Sequence, residues 1–471
     1  MIDGLRPYPD MKQTGLSWLG DVPAHWDVRR NGRLFGARRE TGFPDLPVLE
    51  VSISRGVRIR DFDGGGRKQE IADRSKYQRA VRGDIAYNMM RMWQGAVGIT
   101  PADGLVSPAY VVARPFSETD SAYYAYLFRT ATYMRETDVF SRGIVPDRNR
   151  LYWESFKQMP SVYPPIDEQR LIVRFLDWHG AQTAKLIRAK KKLIALLNEQ
   201  KQAIIHRAVT LGLDQNVKLK PSGVPWLGAV PATWSVRKIR HCGSIVGGMT
   251  PSMENRSFWD GSIPWVTPKD MKRRVIADSM MHVTQEAVEK TSIGMIRAGA
   301  VLMVVRGMIL ARRIPIAKTT APVTINQDMK AIIPEKSVQS DFLCHVLASF
   351  QSALSSLIDE SGHGTRRFPT ERWREMAFAF PSFTEQSAIS SWIDDASVNE
   401  DRAIASAERE VALLLEFRSR LVADVVTGKL DVRAAAASLP AIVDMESASD
   451  LSDDDDVETE TEDVETEELA A

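Results

Sequence analysis

The chain has 471 residues, 44% of them apolar, with 61 basic and 61 acidic side chains. At about 150 residues per domain this allows roughly two to four domains. Two cysteines, Cys242 and Cys344, exclude a disulfide framework or a zinc ribbon and fit a reducing compartment. The zero net charge hides an asymmetry. Residues 444–471 hold 14 acids and no Lys or Arg, so residues 1–443 carry all 61 basic and 47 acidic side chains, a formal charge of +14. A basic body suits a polyanionic partner such as DNA; on its own it also fits a well-solvated surface.

In chain order, the N-terminus lacks the basic-then-apolar order of a signal peptide. The longest apolar stretch, 298–310, is interrupted by Arg306 and too short to span a bilayer. These features predict a cytoplasmic protein without a membrane partner. Residues 17–30 read SWLGDVPAHWDVRR and recur at 225–238 as PWLGAVPATWSVRK, with nine of fourteen positions identical at an offset of 208. Trp18 and Trp26 thereby match Trp226 and Trp234. The four tryptophans read as packing residues that pin each opening segment, or alternatively as partner-docking residues.

The first globular domain is set at 1–163. Its β-rich runs are 46–53, 84–87 and 110–113, punctuated by Gly, Pro and Asp. Its predicted loops are basic at Arg55, Arg58, Arg60, Arg67, Lys68, Arg79 and Arg82. Asn88, Arg91, Trp93 and Gln94 share the run Asn-Met-Met-Arg-Met-Trp-Gln. Trp93 reads as a core residue, with base stacking the alternative. A first helical segment, 164–214, begins PPIDEQ and ends VTLGLD. It contains no proline between 168 and 211 and only Gly180 before Gly212. Its heptad-like ladder is Leu186, Lys190, Leu193, Leu197, Gln200, Ile204, Arg207 and Leu211.

The second globular domain is set at 215–380, with β-rich runs 263–266, 300–305 and 330–333. It offers Lys269, Lys272, Arg273, Arg274, Arg306, Arg312, Arg313, Asn326, Gln327, Lys330, Arg366 and Arg367. The run 361–367, Ser-Gly-His-Gly-Thr-Arg-Arg, reads as a flexible basic loop whose small residues let the backbone approach DNA, with His363 a solvated loop residue or a contact. A second helical segment, 381–435, begins PSFTEQ and carries VTGKLD at its close, matching the first at an offset of 217. Its ladder is Ile404, Ala407, Val411, Leu414, Arg418, Leu421 and Val425. Helices of about 40 residues, some 60 Å long, would pack as an antiparallel coiled coil or an ordinary bundle. Residues 436–471 read as an acidic disordered tail, a solubilising appendage or a weak competitor of DNA. The fold expectation is therefore mixed α/β: two globular domains separated by two long helices in an antiparallel coiled coil, with a pseudo-twofold internal repeat. The interiors of the two domains show no obvious mutual similarity.

Catalytic motifs are missing from this sequence. Its one Pro-Pro pair, Pro164-Pro165, lies between Tyr163 and Ile166 and lacks the amide and the aromatic of an adenine methyltransferase motif. Gly428-Lys429 is followed by Leu430, unlike a phosphate-binding loop. Asp147 with Glu154 and Lys157 spaces acid and lysine three apart, where metal nucleases have two. The seven histidines show no metal-ligand spacing.

The frame resembles the specificity subunits of type I restriction–modification systems. The resemblance covers about residues 12–431. It rests on SWLGDVPAHW, GDIAYNMMRMWQGAVG (83–98), VSPAYVV (106–112), GIVPDRNRLYWESFK (143–157), PPIDEQ (164–169), GSIPWVTPKDM (261–271), NQDMKAIIP (326–334) and FPSFTEQ (380–386). It implies a non-catalytic subunit whose two target recognition domains each read half of a split site in double-stranded DNA, with the helices setting the unread spacer. Two modification (methyltransferase) subunits would dock on it and restriction subunits could join. S-adenosylmethionine, ATP and Mg would belong to those partners, with no cofactor or metal in this chain. Arg suits guanine O6 and N7, Asn or Gln suits adenine N6 and N7, and lysines suit phosphates. The candidate DNA contacts are Arg55, Arg58, Arg60, Arg67, Lys68, Asn88, Arg91 and Gln94 in the first domain, and Lys269, Lys272, Arg273, Arg274, Arg306, Arg312, Arg313, Asn326, Gln327, Arg366 and Arg367 in the second. The rival readings are a DNA-binding regulator acting alone, a scaffold for acidic proteins and an unrecognised nuclease.

Overall fold

The computed structural model describes residues 5–60, 74–143, 149–214, 216–360 and 365–440. Arg67, Lys68, Asp147, His363 and the tail from 441 onward lie outside the described residues. The chain divides into two compact units, residues 1–192 with 407–471, and residues 193–406.

In the first unit the opening motif is a hairpin. Met11–Gln13 pairs antiparallel with Asp21–Pro23, and Gly20 takes φ +72° in the connecting turn, a conformation glycine adopts without strain. Strand Asp27–Arg30 pairs with Pro160–Tyr163, so the two ends of the globular region share one ladder. Between them lies an antiparallel four-stranded sheet in the order Phe35–Arg38, Tyr110–Pro115, Ile85–Asn88, Val97–Ile99. Helices Ser121–Phe128 and Ala131–Phe140 follow. The Asp120 carboxylate accepts from the N–H groups of Ala122 and Tyr123, and Thr130 accepts from Tyr133. The core is aromatic: Phe35, Tyr124, Phe128, Tyr133 and Phe156 are all buried, with Phe128 and Tyr133 ring centroids 4.8 Å apart.

The second unit repeats this construction with different residues. Leu219–Pro221 pairs with Ala229–Pro231, and Ser235–Lys238 with Ala377–Phe380. Its main sheet runs Gly243–Gly247, Met329–Pro334, Val301–Val304, Ile316–Thr319, and adds a fifth strand, Val275–Ile276, parallel to its neighbour. The first four strands stand in the same order as those of the first unit. That order is invisible when the interiors are compared as sequence, because the central strands IAYN and VLMV share burial and no residue. A smaller sheet, His282–Val283, Trp259–Val266, Thr324–Ile325, covers a second core of Trp265, Val283, Ala287 and Ile293. All six β-rich runs read from the sequence overlap strands.

The first helical segment is one helix, Ile166–Leu211. The second, expected as a single helix, is two: Phe383–Ala396 and Val398–Val426. They part at Ser397, whose hydroxyl donates back to the Ile393 carbonyl at 2.6 Å, a local bond that competes with the helical ladder. Within the first unit Lys190 pairs with Glu410 at 2.7 Å; within the second Lys201 pairs with Asp401. Ala407, Leu421 and Val425 are buried, as their ladder predicts. On the first helix the packed stripe sits one residue later than the predicted ladder. Ile187 is buried, whereas Leu186 is 52% and Leu193 42% exposed. The helix carries Leu186-Ile187, Leu193-Ile194 and Leu196-Leu197 as adjacent apolar pairs, so two stripes are equally readable from spacing. Residues 436–440, assigned to the tail by composition, include the end of helix Arg433–Ser438, with Ala436 fully buried in the first unit's core.

Candidate nucleic-acid interface

Exposed cations gather where the second unit's central strand ends. After Val301–Val304 the backbone turns through Arg306 and Gly307 into the short 3-10 turn Met308–Ala311. The two-stranded ribbon Asp359–Glu360 with Arg366–Arg367 is held against this turn. Gly307 N–H donates to Arg366 O at 3.0 Å, and Phe368 N–H donates to Val305 O at 2.8 Å. Arg306, Arg312, Arg313 and Arg367 are exposed; half-buried Arg366 pairs with Glu360 at 3.3 Å. The loop 326–328 joins the same edge, since Val305 N–H donates to Asp328 O at 2.8 Å. Gln327 is exposed there and accepts from the Thr250 hydroxyl, whereas Asn326 is buried and closes its own turn by accepting from Asp328 N–H at 3.2 Å. Six of the predicted residues thus meet on one edge, with Asn326 shaping the loop from beneath.

The run 272–274 divides. Lys269, Lys272 and Arg273 are exposed. Arg274 donates through Nη2 to Nδ1 of fully buried His345 at 2.9 Å. Burial, and next the Arg274 charge, push the His345 pKa down to about 3, so the imidazole is neutral. The 3.6 Å approach of Asp394 to His345 is therefore no ion pair at neutral pH. Arg274 is also exposed, while its Nη2 serves a buried ring nitrogen that needs a donor.

In the first unit the predicted residues are more dispersed. Arg55, Arg58 and Arg60 lie on or beside the hairpin Leu49–Ser52 with Gly56–Ile59, all half-buried, and Arg58 pairs with Glu50 across it. Arg79 bonds Asp103 at 2.9 Å and Glu40 at 3.3 Å. The Arg82 backbone N–H and then the Arg79 guanidinium hold the Asp103 carboxyl below its usual range. Asn88 is buried, its carbonyl oxygen accepting from Met90 N–H at 2.9 Å. Arg91 and Gln94 are half-buried in and beside the 3-10 turn Met92–Gln94 that follows. Trp93, expected in the core, is half-buried with its indole donating to Met90 O. Sequence reading passed over Arg142 and Arg150, which form an antiparallel bridge in the first unit. The 217-residue offset of the closing motifs was the available signal, since it places Arg150 on Arg367.

The matching motifs each bury one tryptophan and differ in what it bonds. Trp26 and Trp234 are fully buried, and Trp234 donates to Glu385 at 3.0 Å. Glu168, the counterpart of Glu385, accepts from Tyr8 at 2.5 Å and meets His25 at 2.8 Å. Trp18 stacks edge-on to Tyr133, whereas Trp226, expected to pack, is 43% exposed and has no ring partner among the described residues. Among the described residues no cluster of His, Cys, Asp or Glu could hold a metal, and no helix is long and apolar enough to cross a membrane.

These features define a protein built from mixed α/β units on long helices, with an arginine-rich edge. Comparison with known proteins finds relatives of part of the chain. Residues 231–401 match the type I restriction modification DNA specificity domain. The chain is 30% identical over 265 residues to the type I restriction enzyme EcoR124I/EcoR124II specificity subunit of Escherichia coli, covering 55% of this chain and 60% of that one. It is 32% identical over 185 residues to the MjaIX specificity subunit of Methanocaldococcus jannaschii, covering 37% and 41%. The alignments thus span less than two thirds of either relative. A chain from a structural study of complex assembly and conformational transition of the type I R-M system shares the fold, with a TM-score of 0.60 at 14% identity over 86% of this chain and 98% of that one. Over the matched residues the chain is similar to type I restriction–modification specificity subunits.

Proposed function

We propose that this chain is the DNA sequence-specificity subunit of a type I restriction–modification complex, and that it has no catalytic activity of its own. Two target recognition domains, within residues 1–163 and 215–380, each read one half of a bipartite duplex target. The helical segments 164–214 and 381–435 pair as an antiparallel coiled coil with pseudo-twofold symmetry and set the unread spacer. Two modification subunits dock on the chain, and restriction subunits join them in the cytoplasm. S-adenosylmethionine, ATP and Mg are held by those partners.

The observation that carries this reading is the DNA specificity domain match at 231–401, which contains the exposed arginines at the end of the central strand. Arg306, Arg312, Arg313 and Arg367 would hold phosphates and reach base edges, while Gln327 offers the amide that pairs with adenine. Docking is supported by the outward stripe of Leu186, Leu193 and Leu196 on the long helix, and by Leu413 and Phe417 on the second, all exposed. The test is duplex binding by the full chain across a salt series, with co-purification of its modification subunit. Salt-dependent binding and a stable complex are expected. A chain that binds neither contradicts the proposal.

A further inference from the structure

Each unit contains one antiparallel bridge in which arginine opposes arginine. In the first unit the pair is Arg142 and Arg150; in the second it is Arg306 and Arg367. Like charges directly opposite each other weaken a strand pair, so neither bridge is explained by stability. Among the described residues none of the four forms an ion pair, whereas Arg38, Arg79, Arg237 and Arg240 each hold at least one carboxylate. Arg142, Arg306 and Arg367 are exposed, and Arg150 is half-buried.

The backbone puts Arg150 and Arg367 at the same place in their units. The next residues, Leu151 and Phe368, are buried and fixed alike. Leu151 N–H donates to Met89 O at 2.8 Å, and Phe368 N–H donates to Val305 O at 2.8 Å. Met89 and Val305 each directly follow the main sheet's central strand, Ile85–Asn88 or Val301–Val304.

We propose that Arg150 and Arg367 are equivalent positioning residues that hold the phosphate backbone of duplex DNA, with Arg142 and Arg306 beside them as second cations. This rests on the DNA-reading proposal above and names the place in each unit where the duplex is gripped. Two arginines opposite each other across a bridge bring like charges together in the free protein, and the closely spaced phosphates of a duplex offer them a counter-charge. Contacts of this kind set register and carry no sequence information.

The experiment is fluorescence anisotropy of the full chain on a random-sequence duplex over a range of NaCl concentrations, with thermal midpoints measured in parallel. Arg150→Ala and Arg367→Ala are each expected to weaken binding at low salt and to lower the slope of log K against log salt by about 1. Arg150→Lys and Arg367→Lys should retain the slope. The alanine variants should melt at or above the wild-type temperature, since a repulsion is removed. Arg237→Ala, whose arginine is paired with Glu335, should leave the slope unchanged. If the wild-type chain does not bind DNA, the functional reading itself fails. If it binds and the alanine variants keep its slope, this inference alone is overturned. Lysine variants that behave like alanine overturn the phosphate role, and a lowered melting temperature in the alanine variants overturns the like-charge argument.

Discussion

Gln169 and Gln386 are buried in different units and make the same three hydrogen bonds. Gln169 accepts from Asp120 N–H at 2.9 Å and donates to Pro164 O at 2.8 Å and Glu118 O at 3.3 Å. Gln386 accepts from Gln339 N–H at 2.9 Å and donates to Pro381 O and Ser337 O, each at 3.0 Å. Each amide joins the start of a long helical segment to the N-cap residue of the helix that follows the sheet. Replacing either glutamine with alanine leaves buried backbone groups without partners, at about 1–3 kcal/mol for each unsatisfied group. Denaturant titration should therefore show Gln169→Ala and Gln386→Ala both strongly destabilised. Values near zero would mean that water replaces the amide.

Trp26 and Trp234 match in sequence but differ in bonding. Trp234 Nε1 donates to Glu385, whereas buried Trp26 Nε1 has no partner among the described residues. Trp234→Phe should then cost about 1.5–3 kcal/mol more than Trp26→Phe, the range for a hydrogen bond to a charged group. Equal losses in a paired denaturation experiment would refute the distinction.

The glycines that end the two helical segments differ in how tightly they are enclosed. Both have positive φ, +76° at Gly212 and +77° at Gly428. A Cβ on Gly428 would lie 2.3 Å from Pro23 Cδ, while one on Gly212 would lie 3.2 Å from Trp234 Cζ2. Alanine at either position forces a left-handed conformation, at about 1 kcal/mol or more. Gly428→Ala should be clearly the worse of the two, and thermal melts of both variants check the order.

His345 makes stability depend on pH. Its pKa falls from 6.5 to about 3 on folding, mainly through burial, with Arg274, Lys201 and Lys318 acting in the same direction against Asp341. The unfolded chain therefore binds a proton that the native chain refuses. The histidine's contribution is fully present above pH 6.5 and is lost progressively as pH falls toward 3. A His345→Gln variant should show a flatter acid limb between those values than the wild type. An unchanged limb would assign the acid sensitivity to other groups.

Much of the frame was legible because duplication repeats whole motifs: the tryptophan hairpins, the Glu-Gln pairs and the glycine-ended helices. The shared sheet order was hidden, since burial selects apolar side chains without fixing which ones, as IAYN and VLMV illustrate. The register of the first helix was ambiguous because adjacent leucines and isoleucines offer two stripes. Site residues were hardest to assign. Arg274 and Asn88 have DNA-compatible chemistry but partners inside the fold, and a charge in a sequence does not disclose its partner. Arg150 stood out only in the structure, because spacing along a chain does not disclose what opposes a residue across a bridge.

The most direct test of the central claim is to co-express the chain with its modification subunit and sequence the methylome of the host DNA. The account predicts one split motif carrying methyladenine in each half, absent when this chain is omitted. An intact complex that leaves no such motif, or a motif that persists without this chain, would contradict it.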